Sequence, residues 1–285
     1  MTNIVYLNGR YLPIEEATVP VMDRGFLFGD GVYEVMPVFG ENMLRLDEHL
    51  LRLQNSLNRI SLPNPHSNDE WQAMFEQLLE HNSGEDRAIY LQITRGVYEK
   101  RDLSIKPDYP PTVFAMVLHI TPPAIDVVSA GISVITVDDF RWNACDIKST
   151  SLVANVMLRQ LATEAGAADA ILIKDCMVTE GTASNVFIVK DEVLITPPKG
   201  KQLLPGITRD LVVEIAQNNA ILVEQRTIKE VELYTADEIW MTSSTREIAP
   251  VISMNGNPVT SGVAGNMWKR VMGLYQQYKA DLRND

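Results

Sequence analysis

Cysteine is nearly absent from this chain, which places only Cys145 and Cys176 among 285 residues. A pair is too few for a disulfide framework and points to a reducing cytoplasm. Histidine is also scarce. His49, His66, His81 and His119 share no metal-ligand spacing, and no Gly-x-Ser-x-Gly elbow occurs, so zinc and serine hydrolases are disfavoured. No apolar run approaches the length of a membrane span, and the start, Met1-Thr2-Asn3-Ile4, has no charged-then-apolar leader. Basic residues are outnumbered 25 to 37, a net charge of −12, which argues against a nucleic-acid partner. The acidic balance leaves phosphate binding open, because charges beyond about 8–10 Å are screened in physiological salt and local donors decide. Internal repeats, heptad arrays and low-complexity tails are missing too.

What is present is ordinary soluble composition, 46% hydrophobic and 22% charged, in a length that suits two modest domains or one large one. Val5 to Leu12 reads as a hairpin around Asn8-Gly9. Val32 to Phe39 reads as a strand, followed by a helix capped by Asp47 with an apolar stripe at Leu46, Leu50, Leu53, Leu57 and Ile60. A helix over 69–80 and strands over 88–94 and 112–119 complete an N-terminal α/β domain, 1–120. Thr121-Pro122-Pro123-Ala124 opens an interdomain connection, 121–130, since paired prolines break both regular structures. A C-terminal domain, 131–285, follows. It has strands over 131–137, 170–173, 185–189, 193–196 and 238–242, and helices over 152–165, 207–216 and 263–280. The fold class is mixed α+β in two lobes. Gly25-Phe26-Leu27-Phe28-Gly29-Asp30-Gly31 is glycine-rich but precedes a strand, so it reads as a tight irregular loop rather than a dinucleotide or phosphate loop.

Two motifs carry chemistry. Cys145-Asp146-Ile147-Lys148-Ser149 and Glu180-Gly181-Thr182-Ala183-Ser184-Asn185 place a lysine and a carboxylate 32 positions apart, each at the edge of an apolar segment. An amine able to form a Schiff base and an acid able to hold a pyridine nitrogen protonated are what a pyridoxal phosphate enzyme needs. Neither residue is specific alone: a Lys-Ser pair is commonly surface, and Thr-Glu-Gly commonly a solvated turn. Cys145 lies three residues before Lys148, which on a strand puts the two side chains on opposite faces and makes Cys145 a core thiol. Ile207 and Thr208 follow Gly206 at a helix start, where unpaired N–H groups and the positive dipole end suit a phosphate; Thr208 also reads as an N-cap.

The surrounding blocks are more specific. Glu180 is followed by Asn185-Val186-Phe187, then Leu194-Ile195-Thr196, then Leu204-Pro205-Gly206-Ile207-Thr208-Arg209. In this order and spacing they resemble the signature of class IV aminotransferases, the fold-type IV pyridoxal phosphate enzymes. The resemblance runs from Asp23-Arg24-Gly25 to Thr242-Ser243-Ser244-Thr245-Arg246-Glu247-Ile248, nearly the whole chain. Val32-Tyr33-Glu34-Val35, the Lys148 pentad and Val178-Thr179-Glu180-Gly181 look most like D-amino acid aminotransferases. Alternatives on the same fold are 4-amino-4-deoxychorismate lyase and branched-chain amino acid aminotransferase. A non-catalytic pyridoxal phosphate-binding protein would need neither Lys148 nor Glu180.

The resemblance implies transamination between a D-amino acid and a 2-oxo acid, with pyridoxal 5'-phosphate as cofactor and a homodimer as assembly. It implies that Lys148 forms the Schiff base and shuttles the proton, and that Glu180 sits on the pyridine nitrogen. It further implies that Arg52, Ile207, Thr208, Ser243 and Ser244 bind phosphate, with Leu204 also at the cofactor. On the substrate side it implies Tyr33 and Arg101. The family's carboxylate trap has Arg and His two residues apart. Here Arg101 in the Arg place puts Leu103 in the His place, and the other alignment gives Lys100 and Asp102.

Overall fold

The computed structural model describes residues 3–107, 109–121 and 124–284. It resolves into two compact units, one of Met1–Thr121 with Ile147–Leu152, the other of Pro122–Asp146 with Val153–Asn284.

The first unit contains β1 (Ile4–Leu7), β2 (Arg10–Pro13), α1 (Arg24–Phe28), β3 (Gly31–Phe39), β4 (Asn42–Met43), α2 (Leu46–Arg59), α3 (Asn68–Glu80), β5 (Asp86–Thr94) and β6 (Thr112–His119). Its strands form an antiparallel sheet in the order β2-β1-β6-β5-β3-β4. The β1–β2 turn is the expected Asn8-Gly9, both at positive φ (48° and 86°), as a two-residue hairpin requires. Helix α2 lies against β3, and α3 against β1 and β6. Leu50, Leu53 and Leu57 of the expected stripe are buried.

Three local expectations change. The segment over 25–31 is not an irregular loop: it contains α1, capped at Asp23, whose side chain accepts from Gly25 N at 2.7 Å, and closed by Gly29 at φ 66°. The α2 cap is Arg45 in the left-handed region, and Asp47 sits inside the first turn, where its charge faces the positive helix end. Helix α3 begins at Asn68, one residue before the expected 69, behind a Ser67/Glu70 capping box.

The second unit contains α4 (Ile125–Ser129), β7 (Ile132–Asp138), α5 (Val153–Glu164), β8 (Asp169–Lys174), β9 (Met177–Gly181), β10 (Asn185–Lys190), β11 (Val193–Thr196), α6 (Ile207–Asn218), β12 (Val223–Gln225), α7 (Glu230–Leu233), β13 (Glu238–Ser243), β14 (Glu247–Met254), β15 (Asn257–Pro258) and α8 (Asn266–Asn284). The sheet order is β12-β11-β10-β13-β14-β7-β8-β9, with β15 on β14. Its apolar core gathers Val134, Ile171, Val186, Ile188, Ile239, Met241 and Val251 from its strands. Helix α5 packs Leu158 and Ala162 onto Ala170 and Leu172 of β8. Helix α6 covers β13 and β12 and meets α8.

Of the expected connection over 121–130, Pro122 and Pro123 lie outside the described residues, and Ile125–Ser129 is helical. Lys148 also departs from expectation. Cys145 and Asp146 form a turn rather than a strand, so the alternating-face argument for Cys145 does not hold. Burial alone makes it a core thiol, pushed up to about 11. Lys148–Thr150 instead run beside β3: Tyr33 N donates to Lys148 O at 2.9 Å, Ser149 bridges Val32, and Thr150 N donates to Gly31 O at 3.0 Å. Those bonds tie this short segment to the first unit. Among the described residues no helix is long and apolar enough to cross a membrane.

Candidate active site

Alternation along β3 turns Val32, Glu34, Met36 and Val38 inward. A carboxylate at such a position needs partners, because an unpaired buried charge is costly. Helix α2 supplies them. His49, Arg52 and Ser56 form a buried polar stripe one helical step from the leucines. Arg52 grips Glu34 bidentately, Nε to Oε1 at 2.8 Å and Nη2 to Oε2 at 2.6 Å. His49 Nδ1 lies 2.8 Å from Glu34 Oε2. Burial pushes the Glu34 carboxyl up, but Arg52 and His49 more than reverse it and hold it at about 2. Burial, helped by the neighbouring Arg52 and Lys148 charges, pulls His49 down despite Glu34, so its imidazole is neutral near pH 7.

Ser56, on the same stripe, accepts from Lys148 N at 3.2 Å. The Lys148 backbone is thus held by β3 on one side and α2 on the other, while its Nζ lies 4.1 Å from the centroid of the Tyr33 ring. Tyr33 itself stacks on Tyr90 at 5.8 Å. Lys148 and Tyr33 are therefore neighbours. Arg101 is exposed, its guanidinium 4.9 Å above the Phe28 ring.

In the second unit Glu180 is a buried β9 residue, not a solvated turn carboxylate. Oε1 accepts from Arg141 Nη1 at 2.5 Å, and Oε2 accepts from Leu204 N at 2.9 Å and Asn185 Nδ2 at 3.4 Å. Arg141 is itself held by Asp139 through Nε at 2.9 Å and Nη2 at 2.8 Å, and Thr179 Oγ1 donates to Asp139 at 2.8 Å. Burial pushes the Glu180 carboxyl up, Arg141 pulls it back, and the balance falls at about 7. That value suits a proton partner working near neutrality.

Asn185 joins Glu180 to the start of α6. Its Nδ2 donates to Leu204 O at 2.9 Å, and a Cβ on Gly206 would lie 1.9 Å from its Oδ1. Gly206 is the N-cap, no side chain caps the helix, and Ile207 and Thr208 are its first two residues, so Thr208 is not itself the cap. One rigid assembly thus carries an acidic acceptor and a helix N-terminus. Beside it, Asn185 pairs with Thr242 on β13, whose buried Oγ1 has no hydrogen-bond partner among the described residues. Ser243 ends that strand, its Oγ accepting from Arg246 N at 3.3 Å, and Ser244 follows in the turn.

The sequence reading missed Arg141, Asp139, Glu34 and His49. Asp139 and Arg141 two residues apart, just beyond a strand, were their one available signal. Leu204 was expected at the cofactor, and its N–H is spent on Glu180.

Comparison with known proteins identifies the family. The chain resembles solved branched-chain amino acid aminotransferases in fold. Against the Escherichia coli enzyme the TM-score is 0.89 at 25% identity, covering 97% of this chain and 94% of that one. Against the Thermoproteus uzoniensis enzyme with norvaline it is 0.86 at 26% identity, covering 98% and 95%. A further solved branched-chain enzyme carries pyridoxamine 5'-phosphate and matches with a TM-score of 0.93 at 25% identity, over 99% of this chain and 96% of that one. The family model for amino-transferase class IV matches residues 31–254, and the chain belongs to that family. In sequence it is 39% identical to a D-alanine aminotransferase of Bacillus licheniformis over 95% of both chains. It is 37% identical to one of Listeria monocytogenes over 92% of this chain and 91% of that one. The resemblance read from the Glu180 and Lys148 blocks is borne out, and the family implies a cofactor of the pyridoxal phosphate type.

Proposed function

We propose that this chain is a pyridoxal 5'-phosphate-dependent D-amino acid transaminase, acting on a donor of the D-alanine or D-glutamate type and a 2-oxo acid. The observation that carries the reading is near-full-length likeness to D-alanine aminotransferases at 39% identity. The branched-chain alternative is supported by structural relatives at 25%.

The residues present fit the cofactor. They supply an amine for an aldehyde, a buried carboxyl for a ring nitrogen, an uncapped helix N-terminus for a phosphate, and the unpartnered Thr242 hydroxyl beside it. When bound, pyridoxal phosphate supplies a carbonyl that amines attack and a ring that accepts electrons as the α-proton leaves. Lys148 Nζ provides the covalent attachment and then carries the proton from the substrate α-carbon. The Tyr33 ring, its centroid 4.1 Å from Nζ, holds the amine in place. Glu180 keeps the ring nitrogen protonated, and the Asp139–Arg141 pair orients it. Ile207, Thr208, Ser243 and Ser244 donate to phosphate, joined by Arg52, whose guanidinium Glu34 holds in one orientation. Tyr33 and Arg101 serve the substrate side, Arg101 pairing with the α-carboxylate.

A homodimer is part of the proposal. Along α5, Val153, Val156, Met157 and Leu161 are 73%, 65%, 55% and 44% exposed at helical spacing, an apolar face that a second copy would cover. A cytoplasmic location accords with two free cysteines.

Incubation with D-alanine and 2-oxoglutarate tests the reading: pyruvate and D-glutamate should accumulate together, whereas no amino transfer here together with pyruvate release from 4-amino-4-deoxychorismate would favour the lyase. Borohydride reduction and peptide mapping should place a pyridoxyl group on Lys148. A label on Lys174 or Lys190 would overturn that assignment.

A further inference from the structure

We propose that Arg24 is the positioning residue for the Arg101 loop, and through it a determinant of donor binding; this rests on the reading of Arg101 as a ligand of the substrate α-carboxylate. Between the bridge residue Val97 and β6, the described residues form no helix or strand. A segment without ladder bonds takes its position from side chains.

Two side chains hold this one. The first is Tyr98, only 1% exposed, whose hydroxyl accepts from Lys106 N at 2.9 Å and donates to Lys106 O at 3.0 Å, closing the base of the loop. The second is Arg24, 4% exposed, whose Nη1 donates to Asp102 O and whose Nη2 donates to Leu103 O at 3.4 Å. Its fork therefore grips the two carbonyls directly after Arg101.

Arg24 is itself fixed from three directions. Nε donates to Asp30 Oδ2 at 2.8 Å, and the guanidinium lies 4.9 Å from the Phe28 ring centroid and 4.6 Å from that of Tyr98. Asp30 is shared with Arg95, through Nε at 2.8 Å and Nη2 at 3.0 Å. Arg95 in turn donates to Ile60 O at 2.6 Å and Ser61 O at 3.0 Å, at the end of α2. The loop is thereby referenced to the helix that carries Arg52. Phe28 also supports Arg101, whose guanidinium lies 4.9 Å from the same ring. A lysine at position 24 would keep the charge toward Asp30 but lose the planar fork and the stacked contact.

The test is a double-mutant cycle on the holoenzyme with Arg24→Lys and Arg101→Ala. It is read by single-turnover amino transfer from D-alanine and from a primary amine lacking a carboxylate. Arg24→Lys should raise the apparent dissociation constant for D-alanine about ten- to a hundredfold, leave the saturating rate within about threefold, and leave the carboxylate-free amine unaffected. The double variant should be no weaker than Arg101→Ala alone, because the two residues act on one contact. Phe28→Leu, which removes the shared ring but neither cation, should show the same pattern more weakly and carries the test should Arg24→Lys not fold. If Arg101→Ala weakens D-alanine while Arg24→Lys and Phe28→Leu do not, or if their effects add, the positioning role is overturned and the Arg101 reading stands. If Arg101→Ala leaves D-alanine binding unchanged, the carboxylate reading falls and this inference with it.

Discussion

Arg141 and Glu180 form an ion pair at 2.5 Å in which both side chains are buried, and a second carboxylate, Asp139, holds Arg141 from behind. Even so, burial leaves the Glu180 carboxyl at about 7. Arg141 is what keeps that group ionisable in the neutral range.

Arg141→Leu should therefore push the Glu180 carboxyl further up and leave it protonated at pH 7, unable to hold a proton on the ring nitrogen. Single-turnover amino transfer at pH 7 is expected to fall roughly ten- to a few-hundredfold, the worth of one charge-assisted bond. Because alkali re-ionises the carboxyl, the pH–rate profile should move upward in pH. An unchanged profile would show that Arg141 does not govern Glu180.

Gly206→Ala places a Cβ 1.9 Å from Asn185 Oδ1. Asn185 is tied to Leu204 and Glu180, so it yields only by shifting the assembly. A stability loss of about 1–3 kcal/mol is expected from overpacking. Cofactor titration should show weaker binding with the Lys148 attachment intact, because the start of α6 moves relative to Glu180.

Acid should loosen the first unit through Glu34. Its folded value of about 2 lies below its ordinary 4.5, so the stability it contributes is complete above about pH 4.5 and is lost as pH falls toward 2. The loss is on the order of 3 kcal/mol. Urea melts of Glu34→Gln should show a flatter pH dependence in that window and lower stability at pH 7, where Arg52 loses the Glu34 carboxylate that grips it bidentately.

Long periodic elements were legible from sequence because burial imposes their spacing: β3, β6 and α6 begin within one residue of where alternation or the Gly206 signal placed them, whereas α2 begins two residues before the start that a cap at Asp47 implied. Strand β14 was missed because Pro250 lies within it, and prolines argue against central strands. The Glu180 and Lys148 blocks were legible as a family signature, but the environment of the two residues was not. No local pattern distinguishes a Glu buried in β9 from one in a turn, since its burial comes from Arg141 and Leu204, 39 and 24 residues away. The same holds for Arg52, whose partner Glu34 lies 18 residues earlier. Polar burial is a tertiary property, and the apolar stripe on α2 masked the polar one beside it.

The most direct measurement is stopped-flow absorbance of the holoenzyme mixed separately with D-alanine, D-glutamate and L-leucine, without an acceptor. D-Alanine or D-glutamate should convert the cofactor's visible absorption in a single turnover, with L-leucine at least about a hundredfold slower, the penalty for a misplaced reacting centre. Robust conversion by L-leucine and none by any D-amino acid would contradict the account.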